Sequence, residues 1–409
     1  MVFTQAMKYI ALLLLAALVS CTEVIDSPDI DGESQESAAP ENDPVCVFDF
    51  IDENDEPIEA VRVLIVSDVL EESPVLVEPE EPASQVKVEL KSEVNRISTY
   101  HFFLTDVQGR EYRLVKDLYI PGNRRYEKTL AMADLWKRRE IRDGLVWYTL
   151  EGLERITLQN QVVNVLEMDL DSETMKLEFL YYPEREVISE VSKQNADIIA
   201  LTNASYGSGF SGSAPVDNTY IRVDGVNYKE ISIGPEDGGN WCKHEAAVWY
   251  DGDRELGFIS MAGDPVGAIE FYKGTTYRNL FSSNQMLVED SLKTDLSKYS
   301  RSYAASTSQD PRTVLAVTKD RKLLLITVDG RWKDKAEGMS YVQLQEFLLT
   351  YIKPWYAINM DGGGSTGMLI KDKGVVNYPC NGVSDNTFAE YEGSITERPL
   401  ITYFAIRER

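Results

Sequence analysis

The sequence predicts an α+β protein in two folded parts, a small all-β sandwich followed by a larger domain of mixed β-sheets and helices. Three observations carry that expectation. At 409 residues the chain is too long for one small core. Between residues 45 and 118 short strand-like runs recur with turn residues between them. Beyond residue 140, apolar strand-like runs are interspersed with two segments of helical periodicity.

Residues 1–21 read as a lipoprotein signal peptide, with Lys8 ahead of the apolar run Ile10 to Val19 and Leu18-Val19-Ser20-Cys21 at the cut. The run is too short for a spanning helix. Cys21 is therefore the expected lipidation site, which would anchor the mature chain to a membrane of the cell envelope, the outer membrane if the source is Gram-negative. Residues 22–43 follow with eight acidic side chains and no Lys or Arg. Such a stretch cannot bury enough apolar surface to fold and is expected to be a solvated tether.

The sandwich is expected over residues 44–121, from the runs Val45 to Glu53, Ala60 to Ser67, Gln85 to Lys91, Ser98 to Thr105 and Glu111 to Leu118. The acidic stretch Glu71 to Pro82 reads as a loop within it. Residues 122–139 are basic and read as a partly helical linker.

The larger domain, residues 140–409, opens with strand-like runs at Val146 to Leu150, Val162 to Leu170 and Lys176 to Tyr182. A helix over Glu184 to Ala196 feeds the apolar strand Ile198 to Thr202, whose end delivers Asn203. Val314 to Thr318 and Lys322 to Val328 read as a hairpin that delivers Asp329. Ser340 with Gln343 forms a capping box for a helix whose apolar face is Leu344, Phe347, Leu348 and Tyr351, and Pro354 ends it. The strand that follows delivers Asp361.

The run Asn359-Met360-Asp361-Gly362-Gly363-Gly364-Ser365-Thr366 is chemically the most pointed part of the chain. Three consecutive glycines are costly in entropy, so they belong where the backbone takes positive φ or lies against a ligand. Their N–H groups could form an anion nest, with Ser365 and Thr366 adding hydroxyl donors. A permissive hairpin entry is the structural alternative. The pattern matches neither a P-loop nor a dinucleotide fingerprint.

Composition narrows the chemistry further. A formal charge of −26 argues against nucleic acid as a partner, because such binding depends on Lys and Arg. With only two histidines, His101 and His244, and no nucleophile elbow, acid–base work falls to carboxylates. After lipidation three cysteines remain, Cys46, Cys242 and Cys380; Cys242 with Cys380 is the favoured pair because both lie in the larger domain.

The motifs Asp310-Pro311-Arg312-Thr313, Leu323 to Asp329-Gly330-Arg331, Gly338-Met339-Ser340, the Asn359 to Thr366 run, Val375-Val376-Asn377 and Glu397-Arg398-Pro399 occur in that order. In order and spacing they resemble the phosphodiester glycosidase family, and Ile199 to Tyr206 with Asn203 resembles an upstream element of it. Ala204 and Gly367 depart from the family pattern, as does the long stretch between Asn377 and Glu397. The resemblance implies hydrolysis of a sugar-1-phosphodiester to free sugar and a phosphate monoester. On that reaction Asp361 would stabilise an oxocarbenium-like sugar or activate water, with Asp329 as second carboxylate. Gly362, Gly363, Gly364, Ser365 and Thr366 would hold phosphate oxygens, helped by Arg312, Arg398 and Arg331. Asn203 and Asn359 would bind the sugar or position Asp361. Asp361 with amide oxygens could hold a divalent cation, but the ligands are too few to require one, and no cofactor is expected. The alternative is a non-catalytic surface lipoprotein that binds phosphorylated glycans.

Overall fold

The computed structural model describes residues 45–67, 74–90, 97–121, 125–207, 209–211, 214–216, 219–231, 244–299, 307–383, 388 and 396–409. The signal peptide with Cys21, the acidic tether and Cys242 lie outside the described residues. Two compact units divide between Ala133 and Asp134.

The first unit is two facing sets of strands. In one, Val45–Ile51 sits between Gln85–Glu89, antiparallel, and Tyr126–Ala131, parallel. The other runs Val75–Val77, Ala60–Ser67, Ile97–Asp106, Glu111–Tyr119 in order. Alternation sets the faces: Val86 and Val88 point inward while Gln85, Lys87 and Glu89 face water. Phe48, Phe50 and Phe102 are fully buried between the layers, and Phe48 meets Phe102 edge-on at 5.0 Å. Two expectations are corrected. The stretch Tyr126–Ala131 is a strand, not linker helix, because an edge position on Val45–Ile51 leaves its charged side chains in solvent. The acidic Glu71 to Pro82 stretch is not all loop, since Val75–Val77 pairs with Val63–Ile65.

Three main sheets build the second unit. An eight-stranded sheet has the order Leu292–Lys293, Met286–Glu289, Tyr356–Asn359, Arg312–Val317, Lys322–Val328, Gln159–Asp169, Leu145–Glu154, Lys137–Arg142. One five-stranded sheet orders Met175–Glu186, Leu400–Glu408, Ile198–Asn203, Met368–Ile370, Gly374–Val375. The other orders Val226–Lys229, Ile221–Val223, Asn279–Ser283, Ala246–Tyr250, Leu256–Ser260. Every ladder among these described strands is antiparallel. The expected mixed sheets and α+β class are thus corrected to a mostly β protein, with 53% of the described residues in strand and 12% in helix. Tertiary pairing overrode local propensity: Met175–Glu186 continues as strand against Leu400–Glu408, which shortens the expected helix to Ile188–Gln194.

All three sheets contribute to one core. Leu166 and Leu325 meet Phe179, Ala200 and Phe404, together with Val248 and Phe281. Phe179 lies 4.7 Å from Phe281 and 4.9 Å from Phe404, ring to ring. The opposite face of the large sheet is covered by the helix Tyr341–Phe347 through Leu344 and Phe347. Ser340 and Gln343 form the expected reciprocal capping box at its start, and a π turn, Leu348–Ile352, ends it at Lys353 in the left-handed region.

The register positions the polar residues. Arg312–Val317 is antiparallel to both neighbours, so Lys322–Val328 and Tyr356–Asn359 run the same way. Asp329 and Asp361 therefore emerge at one end of the sheet, where Arg312 begins. Asn203 comes from the five-stranded sheet.

Candidate functional site

Asp361 is partly exposed and its backbone is held from both sides. Its N–H donates to Ala204 O at 3.0 Å, and its carbonyl accepts from Asn203 Nδ2 at 2.6 Å. Asn203 is 1% exposed, and its Oδ1 accepts from Thr313 Oγ1 at 2.7 Å and Gly367 N at 3.1 Å. One amide thus ties both ends of the segment 361–367, and its polar atoms are spent on the protein.

Between those ties the glycines serve close packing. Gly363 to Ser365 make a single 3₁₀ turn. The N–H groups of Gly363, Ser365 and Thr366 donate to the carbonyls of Pro311, Gly362 and Gly363 at 2.9, 3.2 and 3.2 Å. They are therefore not an open nest; those of Gly362 and Gly364 have no acceptor among the described residues. A Cβ on Gly362 would lie 2.6 Å from Pro311 O, one on Gly363, at φ +60°, would lie 3.0 Å from Arg331 Nη2, and one on Gly364 would overlap Arg398 Nη2. The run lacks side chains because the Pro311 carbonyl and two guanidinium groups press against it.

Those two arginines differ in their surroundings. Arg331 donates Nε and Nη2 to Asp310 Oδ1 at 3.2 and 3.1 Å, so its charge is paired. Arg398 donates Nε to Asn381 Oδ1 at 2.9 Å and Nη1 to Ser365 Oγ at 3.1 Å, both neutral. Among the described residues Arg398 has no ion-pair partner, which leaves a half-buried cation with an unused Nη2 beside the glycines. Arg312 is not part of that pair. It is 5% exposed, stacks 4.2 Å from the Tyr341 ring centre, and donates to Met339 O and Ser308 O at 2.8 Å each.

Asp329 is 1% exposed and accepts from Asn377 Nδ2 at 2.8 Å and Tyr378 N at 3.0 Å. Burial pushes its carboxyl up to about 6 against the pull of those two donors. Asn377 in turn accepts from Met368 N at 2.8 Å, so Asp329 braces the strand that follows Thr366. Thr366 is itself 3% exposed, with its hydroxyl 3.5 Å from that of Thr313.

A buried polar cluster near Asp361 was not foreseen from sequence. Asn359 Nδ2 donates to Tyr206 Oη at 3.1 Å, Tyr341 Oη at 3.3 Å and Met360 O at 2.9 Å. Its Oδ1 is buried without a partner among the described residues, as are both amide atoms of Gln285, whose carbonyl accepts from Asn359 N at 3.2 Å. Burial, with Tyr341 and Asp361 nearby, holds the Tyr206 hydroxyl well above its ordinary range, opposed by Arg312. Unpartnered buried amides cost about 1–3 kcal/mol each, so this cluster is short of hydrogen-bond partners. The one sequence signal was Asn284-Gln285, an amide pair between the largely buried strands Asn279–Ser283 and Met286–Glu289.

Cys380 is a buried free thiol, and its expected partner Cys242 lies outside the described residues. Its Sγ lies 3.7 Å from Gly363 O, and burial pushes its pKa up to about 11. Among the described residues no cluster of three or more His, Cys, Asp or Glu side chains could hold a metal ion.

A family model described as phosphodiester glycosidase matches residues 200–406, a span holding Asn203, Tyr206, Gln285, Arg331, Asp361 and Arg398. Among solved structures the chain is similar to the catalytic domain of zebrafish N-acetylglucosamine-1-phosphodiester alpha-N-acetylglucosaminidase, auto-inhibited by its pro-peptide. That similarity has 17% identity and a TM-score of 0.46 over 68% of this chain and 85% of that one. A hypothetical protein from Synechocystis is similar at 11% identity and a TM-score of 0.45, over 86% of this chain and 75% of that one. No curated protein matches the chain.

Proposed function

The chain belongs to the phosphodiester glycosidase family, and from that premise we propose that it hydrolyses the glycosidic bond of a sugar-1-phosphodiester. The observation that carries this reading is Arg398, a guanidinium without an ion-pair partner among the described residues, pressed against the glycines that directly follow the partly exposed Asp361. An anion on Arg398 and Arg331 would place its ester oxygen toward Asp361.

The reaction then needs little from the protein beyond charge placement. The bond from the anomeric carbon to the phosphate oxygen breaks, and its electron pair leaves with the phosphate monoester, whose charge the guanidinium groups stabilise. Asp361 faces the positive charge developing on the sugar and takes a proton from the water that adds to the anomeric carbon. The orphaned amides of Asn359 and Gln285, with the Tyr206 and Tyr341 hydroxyls, would receive sugar hydroxyl or amide groups. Asn203 and Asp329 act through the backbone, as positioning residues.

The test is hydrolysis of a panel of sugar-1-phosphodiesters in oxygen-18 water. Label in the sugar, with none in the released monoester, supports glycosidic cleavage. Label in the phosphate would instead mean attack at phosphorus, and tight binding with no product would mean a non-catalytic glycan-binding protein. The lipid anchor on Cys21 belongs to the same reading, as it would hold the enzyme where envelope glycans are exposed.

A further inference from the structure

A cavity lies on the same large sheet, far from Asp361. It has a volume of about 300 Å³ and is lined by Trp136, Tyr148, Val165, Glu167, Thr318, Leu324, Tyr351 and Ile352. Thr318 follows the end of Arg312–Val317 opposite to Arg312, so the cavity is about 20 Å from the glycine run at the ~3.3 Å rise of a strand residue.

Glu167 is anomalous there. Its cross-strand partner is Leu324, and Tyr148 pairs with Val165, which places all four on the sheet face that buries Val163, Val314 and Ile326. Its direct partners Val146 and Leu324 and its neighbours Val165 and Tyr148 are apolar or aromatic, and the next pair along that face, Asp169 with Lys322, is closed on itself as an ion pair, yet this position carries a carboxylate. Among the described residues it makes no hydrogen bond and no ion pair, and burial raises its pKa. The covering helix gives way to the π turn at Leu348, and Tyr351 and Ile352 leave the gap open over Glu167. A half-buried acid without a donor is costly unless something supplies one.

We propose that the Trp136, Tyr148, Tyr351 and Glu167 cavity is a saccharide-binding subsite that takes one pyranose ring, separate from the Asp361 site. Flat aromatic side chains offer apolar faces to the C–H side of a sugar ring, while a carboxylate accepts two neighbouring hydroxyls. The volume suits a ligand of that size. The same side chains could cage an organic cation. Lys322 and Arg138 act on Glu167 against one further carboxylate, Asp320, so the local charge is close to balanced, which favours a neutral ligand. The inference does not depend on the proposed hydrolysis, and a subsite here would hold a glycan chain whether or not Asp361 turns it over.

The experiment uses the full chain labelled with fluorotryptophan, with the Trp136 resonance assigned by its loss in Trp136→Phe. The probes are methyl glycosides of N-acetylglucosamine, glucose, mannose and galactose, titrated to roughly 50 mM to capture millimolar affinities. Saturable movement of the Trp136 signal by at least one sugar is expected. Glu167→Gln, which keeps the shape, should weaken that sugar at least tenfold while the thermal midpoint holds or rises, since a buried charge is removed. Trp136→Ala should abolish the binding, read by ligand-observed NMR. An unmoved Trp136 signal, an affinity indifferent to Glu167→Gln, or a response to tetramethylammonium at lower concentration than to every sugar would overturn the proposal.

Discussion

Asn203 donates its side-chain amide to the main-chain carbonyl of Asp361 at 2.6 Å, across the gap between two sheets. The same side chain accepts from Gly367 N, so it fixes where the glycine loop leaves the large sheet and where it rejoins the smaller one. Asn203→Ala removes both ties. It should cost about 1–3 kcal/mol of unfolding free energy and lower kcat, through a displaced Asp361. Urea unfolding and steady-state kinetics on one preparation check this, and an unaltered kcat would show that Asp361 is placed by other contacts.

Asp361→Asn tests the chemical step. Loss of a catalytic base or cation-stabilising carboxylate should lower kcat by roughly 10²–10⁴ while the phosphate monoester product still binds. Calorimetry of product binding beside single-turnover rates separates the two quantities, and near-normal turnover would move the chemistry to another carboxylate.

The two arginines named from the sequence should behave differently. Arg398→Ala should weaken the phosphate monoester by about 1.5–3 kcal/mol, as expected for hydrogen bonds to a charged group. Arg312→Ala should chiefly lower stability, because that guanidinium is committed to Met339 O, Ser308 O and the Tyr341 ring. Gly364→Ala should mimic Arg398→Ala, since the new methyl group takes the place of Nη2. A double variant no worse than either single one would establish that both act through one contact; simple additivity would contradict it.

Asp329 should give the stability a recognisable pH dependence. Its folded-state carboxyl is raised to about 6, so between the unfolded value near 4 and pH 6 the native state binds more protons than the unfolded chain. Stability contributed by this group is then fully present below pH 4 and is lost as pH rises to about 6, by roughly 3 kcal/mol at 1.36 kcal/mol per pH unit. Chemical denaturation of wild type and Asp329→Asn across that window should show a slope difference of up to one proton. Parallel curves would mean that Asn377 and Tyr378 hold the carboxylate ionised throughout.

Cys21→Ser should move the protein from the membrane fraction to the soluble one if Cys21 is lipidated. Unchanged fractionation would remove Cys21 as the anchor.

Much of the framework was legible because it is local. Ile198–Asn203 and Lys322–Val328 are apolar runs bounded by polar residues, and the Ser340 and Gln343 capping box is set by a spacing of three. Helix against strand at Glu184 to Glu186, and strand against linker at Tyr126–Ala131, were not legible. Those outcomes depend on partners hundreds of residues away or across a sheet edge.

By itself the sequence determined that a carboxylate, three glycines and two hydroxyls would follow a buried strand, and that arginines would have to supply positive charge in a chain of net −26. Only the tertiary structure decided which arginine is available. Arg312 is consumed by carbonyls and an aromatic ring, whereas Arg398, 86 positions further on, packs on Gly364 without a counter-charge among the described residues. The physical reason is that residue type and spacing fix what a side chain can bond to, while hydrogen-bond partners, burial and neighbouring charge come from strands that meet only when the sheets close.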